Sequence, residues 1–443
     1  MDKENTNLME KIISLCKRRG FVYPGSEIYG GLAGTWDYGP FGVALKNNIK
    51  NLWWKTFVES REDMYGVDAA ILMNSNVWKA SGHVDTFTDP LVECIKCKKR
   101  FRADQLDPTL LPPLIKGRVE EGCPDCGGKM SEERKFNMMF KTQIGAVEDS
   151  SATIYLRPET AQGMFVNFKN IIDSFHPKLP FGLAQIGKAF RNEITPRDFI
   201  FRIREFEQME IEYFIRSTDW EKYFEYWRGE MMQWMEAIGL DMNHVHELEV
   251  AKEDRAHYSS RTIDFYFDFP FGSKELYGLA YRTDFDLKNH GLSYQDEESG
   301  TKLVPHVVEP TFGVDRTVLA LMASVYKEDA SGEEVRSYLA FKPSIAPVIC
   351  AVSPLLKNKP ELRDYAHIVY RMLKDEFGRV MWDDNGNIGK RYRRQDEIGT
   401  PWCIVIDFDT LTDDSVTIRD RDTGEQERIK KEEIVNYIKE KLN

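Results

Sequence analysis

The stretch AFRNEITPRDFIFRIREFEQMEIEYF, residues 189–214, interleaves arginines and glutamates with phenylalanines more densely than a core strand requires. A buried charge costs several kcal/mol unless it is paired, so both signs in one stretch need a reason. Side chains of a strand alternate between its faces. With 201–213 read as one strand, Phe201, Ile203, Met209, Ile211 and Tyr213 share a face with Glu205 and Glu207. Arg202, Arg204, Phe206, Gln208 and Glu210 share the other. The preceding strand, Lys188 to Ile194, adds Arg191 and Glu193, and Thr195–Asp198 makes the turn. Arginine clamps phosphate bidentately, a phenyl ring stacks on a purine, and a carboxylate accepts from an exocyclic amine or an ammonium. The second face therefore suits a nucleotide bearing an acyl group. A solvated hairpin with cross-strand Arg–Glu pairs, each worth ~0.2–1 kcal/mol, has the same composition, and alternation alone does not separate the two. Glu205 and Glu207, pointing the other way, have no account at this level.

The whole chain supports a large folded protein. Its 443 residues are 42% hydrophobic and 30% charged, enough for two or three domains. A net charge of -12 argues against nucleic-acid binding by bulk charge and leaves room for local basic patches. The N-terminus has no secretory or transit character, and no apolar run approaches the ~18 residues that span a bilayer. Cytoplasm is the expected compartment.

Residues 7–19 read as a helix, 25–40 as a glycine-rich connection and 42–62 as a second helix. Residues of about 90–150 change character: cysteine pairs, a Pro-Pro turn and lysines mark an insert. Then 151–172 reads as strand, turn and helix, with Pro158 suited to the helix's first turn. Thr218 and Glu221 suggest a capping box. The helix they open carries Trp220, Phe224, Trp227, Met231, Trp234 and Ile238 as a core stripe, ended by Gly239. Residues 261–270 and 274–287 alternate like adjacent antiparallel strands, and 305–326 reads as strand, glycine turn and helix. Beyond Lys342-Pro343 the elements alternate as in a separate small α/β domain.

Seven cysteines are too few for a disulfide scaffold. Cys16, Cys350 and Cys403 stand alone. Cys94, Cys97, Cys123 and Cys126 form C-x₂-C-x₂₅-C-x₂-C, a longer gap than zinc ribbons usually show. Four thiolates favour tetrahedral Zn²⁺ over disulfides in a reducing compartment; four protein ligands would close the site, making it structural. The alternative is four reduced thiols.

Phe190-Arg191-Asn192-Glu193, a loop, then Arg202 and Phe206 resemble motif 2 of the class II aminoacyl-tRNA synthetases. Gly313–Arg316, GVDR, resembles motif 3, and the helix at 42–62 lies where the degenerate motif 1 belongs. LRPETAQG (156–163), RNEITPRDFIFRIREFEQMEIE (191–212), RTDFDL (282–287) and VVEPTFGVDR (307–316) narrow the resemblance to the glycyl-tRNA synthetases of homodimeric, single-polypeptide type. GKRYRRQDEIGTPWC (389–403) is similar to that family's anticodon-binding domain. This chain reads EPT where the family usually reads EPS, so Thr311 keeps the hydroxyl and adds a methyl.

The resemblance implies an α+β catalytic domain over 1–342 on a central antiparallel sheet, with the zinc-ribbon-like insert at about 90–150 and a helical insert at about 217–260. An α/β anticodon-binding domain would occupy 343–443. It implies ligation of glycine to tRNA(Gly) through glycyl-adenylate, with ATP and Mg²⁺, in a homodimer. Arg191 and Arg316 would be catalytic. Arg191, Asn192, Glu193, Phe201, Arg202, Arg204, Phe206, Glu275, Leu276, Gly313 and Arg316 would bind ATP, and Glu275 would also hold Mg²⁺. Arg102, Glu159, Gln208, Glu210, Glu309 and Thr311 would bind glycine, whose ammonium and carboxylate are its only handles. Lys390, Arg391, Arg393 and Arg394 would face tRNA. Sterics alone can reject larger amino acids, so no editing domain is required. Two rival readings are a silent synthetase-like RNA-binding protein, which would lack Arg191, Phe206 or Arg316, and a synthetase for another small amino acid, which would keep fewer of the three glutamates.

Overall fold

In the computed structural model the described residues are 3–106, 122–146, 152–297, 300–331 and 334–442. The Pro-Pro turn of the insert, at 112–113, lies outside them. Seven strands build the main sheet: β1 (Met64–Gly66), β2 (Phe181–Phe190), β3 (Glu205–Ile215), β4 (Val245–Glu249), β5 (Arg261–Phe269), β6 (Gly272–Thr283) and β7 (His306–Gly313). Their order across the sheet is β4-β5-β6-β7-β3-β2-β1. Every neighbouring pair is antiparallel except β1 with β2.

The stretch 189–214 supplies the end of β2, a loop and most of β3. The strand begins at Glu205, not at 201. Asp198 and Phe199 take φ of 61° and 58°, and Arg197 and Arg202 exchange backbone hydrogen bonds of 3.1 and 3.2 Å that close the loop. Strand alternation therefore cannot be carried back through 201–204. From 205 onward it holds: Glu205 and Glu207 point away from Phe206, Gln208 and Glu210.

The longer helices around this sheet are α1 (Lys3–Arg19), α2 (Pro40–Trp54), α3 (Ala161–Phe175), α4 (Trp220–Ile238) and α5 (Val314–Val325). Helix α2 continues as one π turn to Glu59. Pro158 stands before α3 rather than in its first turn, because Thr160 is the N-cap. The capping box expected at Thr218 is not formed: Ser217–Asp219 makes a 3₁₀ turn, and the Thr218 hydroxyl bonds the Asp219 carboxylate at 3.2 Å. Gly239 ends α4 at φ 90°. The α4 stripe is core, as its spacing says. Phe224, Trp227, Met231, Trp234 and Ile238 are buried, with Trp227 and Trp234 against Phe57 of the π turn. Each such side chain contributes ~1.5–3 kcal/mol by leaving water.

The C-terminal sheet has β8 (Cys350–Pro354), β9 (Val380–Trp382), β10 (Trp402–Ile406), β11 (Ser415–Asp420) and β12 (Gln426–Lys430), in the order β9-β8-β10-β11-β12. With α6 (Pro360–Phe377), α7 (Ile388–Ile398) and the last helix it encloses its own core, including Val352, Leu362, Val369, Ile404 and Ile438. Polar clamps fasten it to the rest. Arg421 donates to the Phe341 carbonyl at 3.0 Å and the Gly399 carbonyl at 2.8 Å. Asp396 accepts from Arg336 and Arg419, and Glu397 pairs with Arg18 and Arg19 of α1. Among the described residues no helix is long and apolar enough to cross a membrane.

Candidate active site

Strands β3 and β7 lie side by side, pairing Gln208 with Gly313 and Glu210 with Thr311. Their shared face, with β6, floors a cavity of about 430 Å³. The antiparallel register thus brings residues a hundred positions apart into one groove.

One end of the groove is cationic and aromatic. Arg191, Glu193, Phe201, Arg202 and Phe206 line it from the β2–β3 hairpin, Glu275 and Leu276 from β6, and Gly313 and Arg316 from the β7–α5 junction. The Arg191 guanidinium lies 5.2 Å from the Phe206 ring centre and donates to the Pro158 carbonyl at 3.1 Å. Arg316 covers the Phe201 ring at 4.6 Å, donates to the Glu275 carbonyl at 2.9 Å and meets the Glu275 carboxylate at 3.2 Å. Buried Glu193 Oε2, Arg202 Nη1 and Gln208 Oε1 have no hydrogen-bond partner among the described residues. Three such atoms at one groove suit a polar ligand, since buried polar groups are otherwise satisfied. Asp264 of β5 also lines this end. Burial, and then the neighbouring Glu275, push its carboxyl up to about 7. Two carboxylates in mutual repulsion fit a divalent cation, so Glu275 with Asp264 could hold Mg²⁺.

The other end is acidic. Glu159, Glu210 and Glu309 line it and are all buried, with Thr311 beside them. Glu210 accepts from Thr311 at 3.0 Å and from Thr160. Glu309 accepts from Arg282 at 2.7 Å, and Arg282 also grips Asp286 at 2.7 and 2.9 Å. Glu159 accepts from Gln162 at 3.2 Å and lies 3.3 Å from His83 Nε2. Burial opposes ionisation of Glu159, but His83 and Arg282 outweigh it and hold the carboxyl well below its usual range. Glu210 goes the other way: burial and then Glu159 raise it. Burial, only partly offset by Arg282, pushes Glu309 up to about 8. Arg102 reaches the cavity already neutralised, 2.6 Å from Asp89 and 2.7 Å from Asp104.

Behind the floor, the two glutamates without an account find partners. Glu205 pairs with Lys188 at 2.6 Å. Glu207 pairs with Lys46 and Lys50 of α2, and Lys46 also meets Asp315 at 3.0 Å.

Four expected site residues are placed differently. Arg204 turns out of the cavity to the carbonyls of Ala33 and Glu193, because 201–204 is loop rather than strand. Asn192 is not on the cavity wall; its backbone N–H donates to the Met138 carbonyl at 2.7 Å. Arg391 is buried and donates to the Pro354 and Gly386 carbonyls, so it cannot face tRNA as a surface cation. Arg394 pairs with Asp383 at 2.6 Å. Lys390 and Arg393 are exposed. Glu212, Arg282, Asp286 and His83 were missed. Glu212 had a sequence signal in sharing the strand parity of Gln208 and Glu210, and Arg282 and Asp286 had one in lying within RTDFDL; His83 had none.

Cys94, Cys97, Cys123 and Cys126 converge, with all four sulfurs within 4.8 Å of one another and two pairs at 3.5 and 3.7 Å. A tetrahedral ion with Zn–S bonds of ~2.3 Å sets its sulfurs ~3.8 Å apart, so the donors fit zinc. The Cys97 N–H points at Cys94 Sγ, 3.4 Å away.

Sequence comparison identifies this architecture. Residues 140–325 match the family model described as tRNA synthetase class II core domain (G, H, P, S and T), and 349–441 match the anticodon binding domain. The chain is 49% identical to a glycine–tRNA ligase of Caldanaerobacter subterraneus subsp. tengcongensis and 50% identical to one of Acetivibrio thermocellus, each over 98% of both chains. It belongs to the glycine–tRNA ligase family. A glycine–tRNA ligase of Treponema denticola is 47% identical over 98% of this chain and 97% of its own. In this family frame the seven-stranded sheet is the class II core, and the C-terminal five-stranded sheet is the anticodon-binding domain.

Proposed function

We propose that the chain joins glycine to tRNA(Gly) in two steps at the groove of β3, β6 and β7. A glycine carboxylate oxygen attacks the α-phosphorus of ATP, and the bond to pyrophosphate breaks. The terminal ribose hydroxyl of the tRNA, losing its proton, then attacks the glycyl carbonyl and AMP leaves. The observation that carries this reading is the polarity of one groove: arginines and phenylalanines at one end, three buried glutamates at the other.

Arg191 holds the α-phosphate and stabilises the charge that grows on it, and Arg202 holds the distal phosphate. Phe206 and Arg316 sandwich the adenine, and Glu193 accepts from its amino group. Glu159, Glu210 and Glu309 face the glycine ammonium, Gln208 and Thr311 complete the site, and Arg102 borders it. Mg²⁺ at Glu275 and Asp264 would neutralise phosphate charge. Catalysis here is positioning and preorganised charge. Lys390 and Arg393 are offered to tRNA. Residues 1–342 form the catalytic unit and 343–443 the tRNA-reading unit, in a cytoplasmic homodimer; Ile28, Tyr29 and Leu32, exposed at 88, 87 and 60%, suit cover by a second copy. The cysteine cluster holds a structural zinc.

The test is amino-acid-dependent ATP–pyrophosphate exchange across the twenty amino acids. Glycine alone is expected to support it. Exchange with alanine or serine and not with glycine would overturn the assignment.

A further inference from the structure

Glu212 follows Glu210 on the same face of β3. The β3–β7 register pairs 210 with 311 and 213 with 308, which sets Glu212 opposite Glu309. Glu212 is fully buried, and neither carboxylate oxygen has a hydrogen-bond partner among the described residues. Oxygens of Glu210, Glu212 and Glu309 lie within 4.8 Å of one another.

The charged groups facing Glu212 are Glu309 of β7, Glu210 of its own strand, Arg282 of β6 and Asp286 of the short helix Phe285–Asn289. Arg282 is committed to Asp286 and to Glu309 Oε1. Glu210 is held by Thr160 and Thr311. What surrounds Glu212 is therefore acceptors. Two carboxylates join through a hydrogen bond only when one carries the proton. An ionised carboxylate left dry and unpaired is the costliest alternative.

We propose that Glu212 is a positioning residue of the glycine site, a neutral carboxylic acid that donates its proton to Glu309 and aims that carboxylate at the substrate ammonium. Arg282 holds Glu309 Oε1, so Oε2 is the atom that accepts from Glu212 and from glycine. Burial, and then Glu309 beside it, raise the Glu212 carboxyl well above the usual range, in the direction the geometry requires. Neutrality also keeps one more negative charge out of a pocket in which, once glycine has bound and Glu309 has ionised, several carboxylates already share the Arg282 guanidinium.

The inference rests on Glu309 facing glycine, and its experiment separates the two. Glu212→Gln keeps a donor at the same reach, whereas Glu212→Leu removes it. In pyrophosphate exchange, E212Q is expected to keep the glycine KM within about threefold of wild type, and E212L to raise it by about tenfold or more with the ATP KM unchanged. Infrared difference spectra of wild type minus E212Q at neutral pH should contain a protonated carboxyl carbonyl band, with or without glycine. An E212Q defect as large as that of E212L, an unaltered glycine KM in E212L, or a missing acid band overturns the proposal. Should E212L not fold, E212Q and the infrared band decide it. Wild-type protein that exchanges with no glycine, yet shows the band, would refute the glycine reading instead.

Discussion

Asp315 accepts a 2.8 Å hydrogen bond from the backbone N–H of Glu207. That contact ties the first turn of α5 to the start of β3, and the residue after Asp315 is the arginine that covers Phe201 in the groove. Lys46 of α2 sits between the Asp315 and Glu207 carboxylates, its side chain 7% exposed. Removing one partner of a buried ionic cluster costs ~3–5 kcal/mol, so Lys46→Met should lower the free energy of unfolding by about 3 kcal/mol in urea melts. Lys50→Met, which touches Glu207 alone from a wetter position, should cost less. Burial works against ionisation of Glu207, but Lys46 and Lys50 bring its carboxyl below the usual value. Its stabilisation is therefore present above the unfolded carboxyl's value of ~4.3 and is lost as pH falls through the lower folded one. K46M should flatten that acid limb.

Arg191→Ala is expected to abolish pyrophosphate exchange while leaving secondary structure and oligomeric state intact. Removing one preorganised donor costs ~10²–10³ in rate, and among the described residues the Arg191 guanidinium makes one hydrogen bond to the fold, to the Pro158 carbonyl, beside its contacts with the Phe87 and Phe206 rings. Exchange at the wild-type rate would exclude its α-phosphate role.

Glycine binding should release a proton near neutral pH. Glu309 is pushed up to about 8 without ligand, so it is mostly protonated at pH 7, and an arriving ammonium favours the carboxylate. Affinity for glycine should rise by up to about tenfold per pH unit below 8 for one linked proton, then level off. Calorimetry in buffers of different ionisation enthalpy reads the proton directly. Uptake rather than release would contradict the sign.

Chain purified without chelator should carry about one zinc by elemental analysis, since four thiolates close one tetrahedral site. Stripping it should unfold the Cys94–Cys126 knuckles first, seen as lost amide protection there, while the main sheet persists. Less than ~0.3 zinc per chain would count against a metal.

Sequence reading succeeded where a period carries the information. Alternation from 205 to 213 sorted Phe206, Gln208 and Glu210 from Glu205 and Glu207, and the helical stripe of α4 identified a core face. It failed where backbone turns decide direction. Residues 201–204 are loop and not strand, so the parity that placed Arg204 on the working face does not extend to it. Glu207 was unexplained because its lysines lie 157 and 161 positions away, the 157 being the Lys50 contact. Arg391 was legible in principle: with Gln395 and Ile398 it occupies i, i+4 and i+7, the inward stripe of α7. Its charge drew attention away from its position.

The clamps between the two halves bear on how this chain can be dissected. Ile398 of α7 is buried in the larger core, and Gly399 presses on Phe341 so closely that an added Cβ would stand 2.4 Å from the ring. A truncation after residue 342 would strip the cover from Phe341 and Leu339 and orphan Arg336 from Asp396. The catalytic half, expressed alone, would carry a sticky apolar scar where α7 had been. A soluble fragment therefore calls for polar replacements at Leu339 and Phe341 as well as a stop codon.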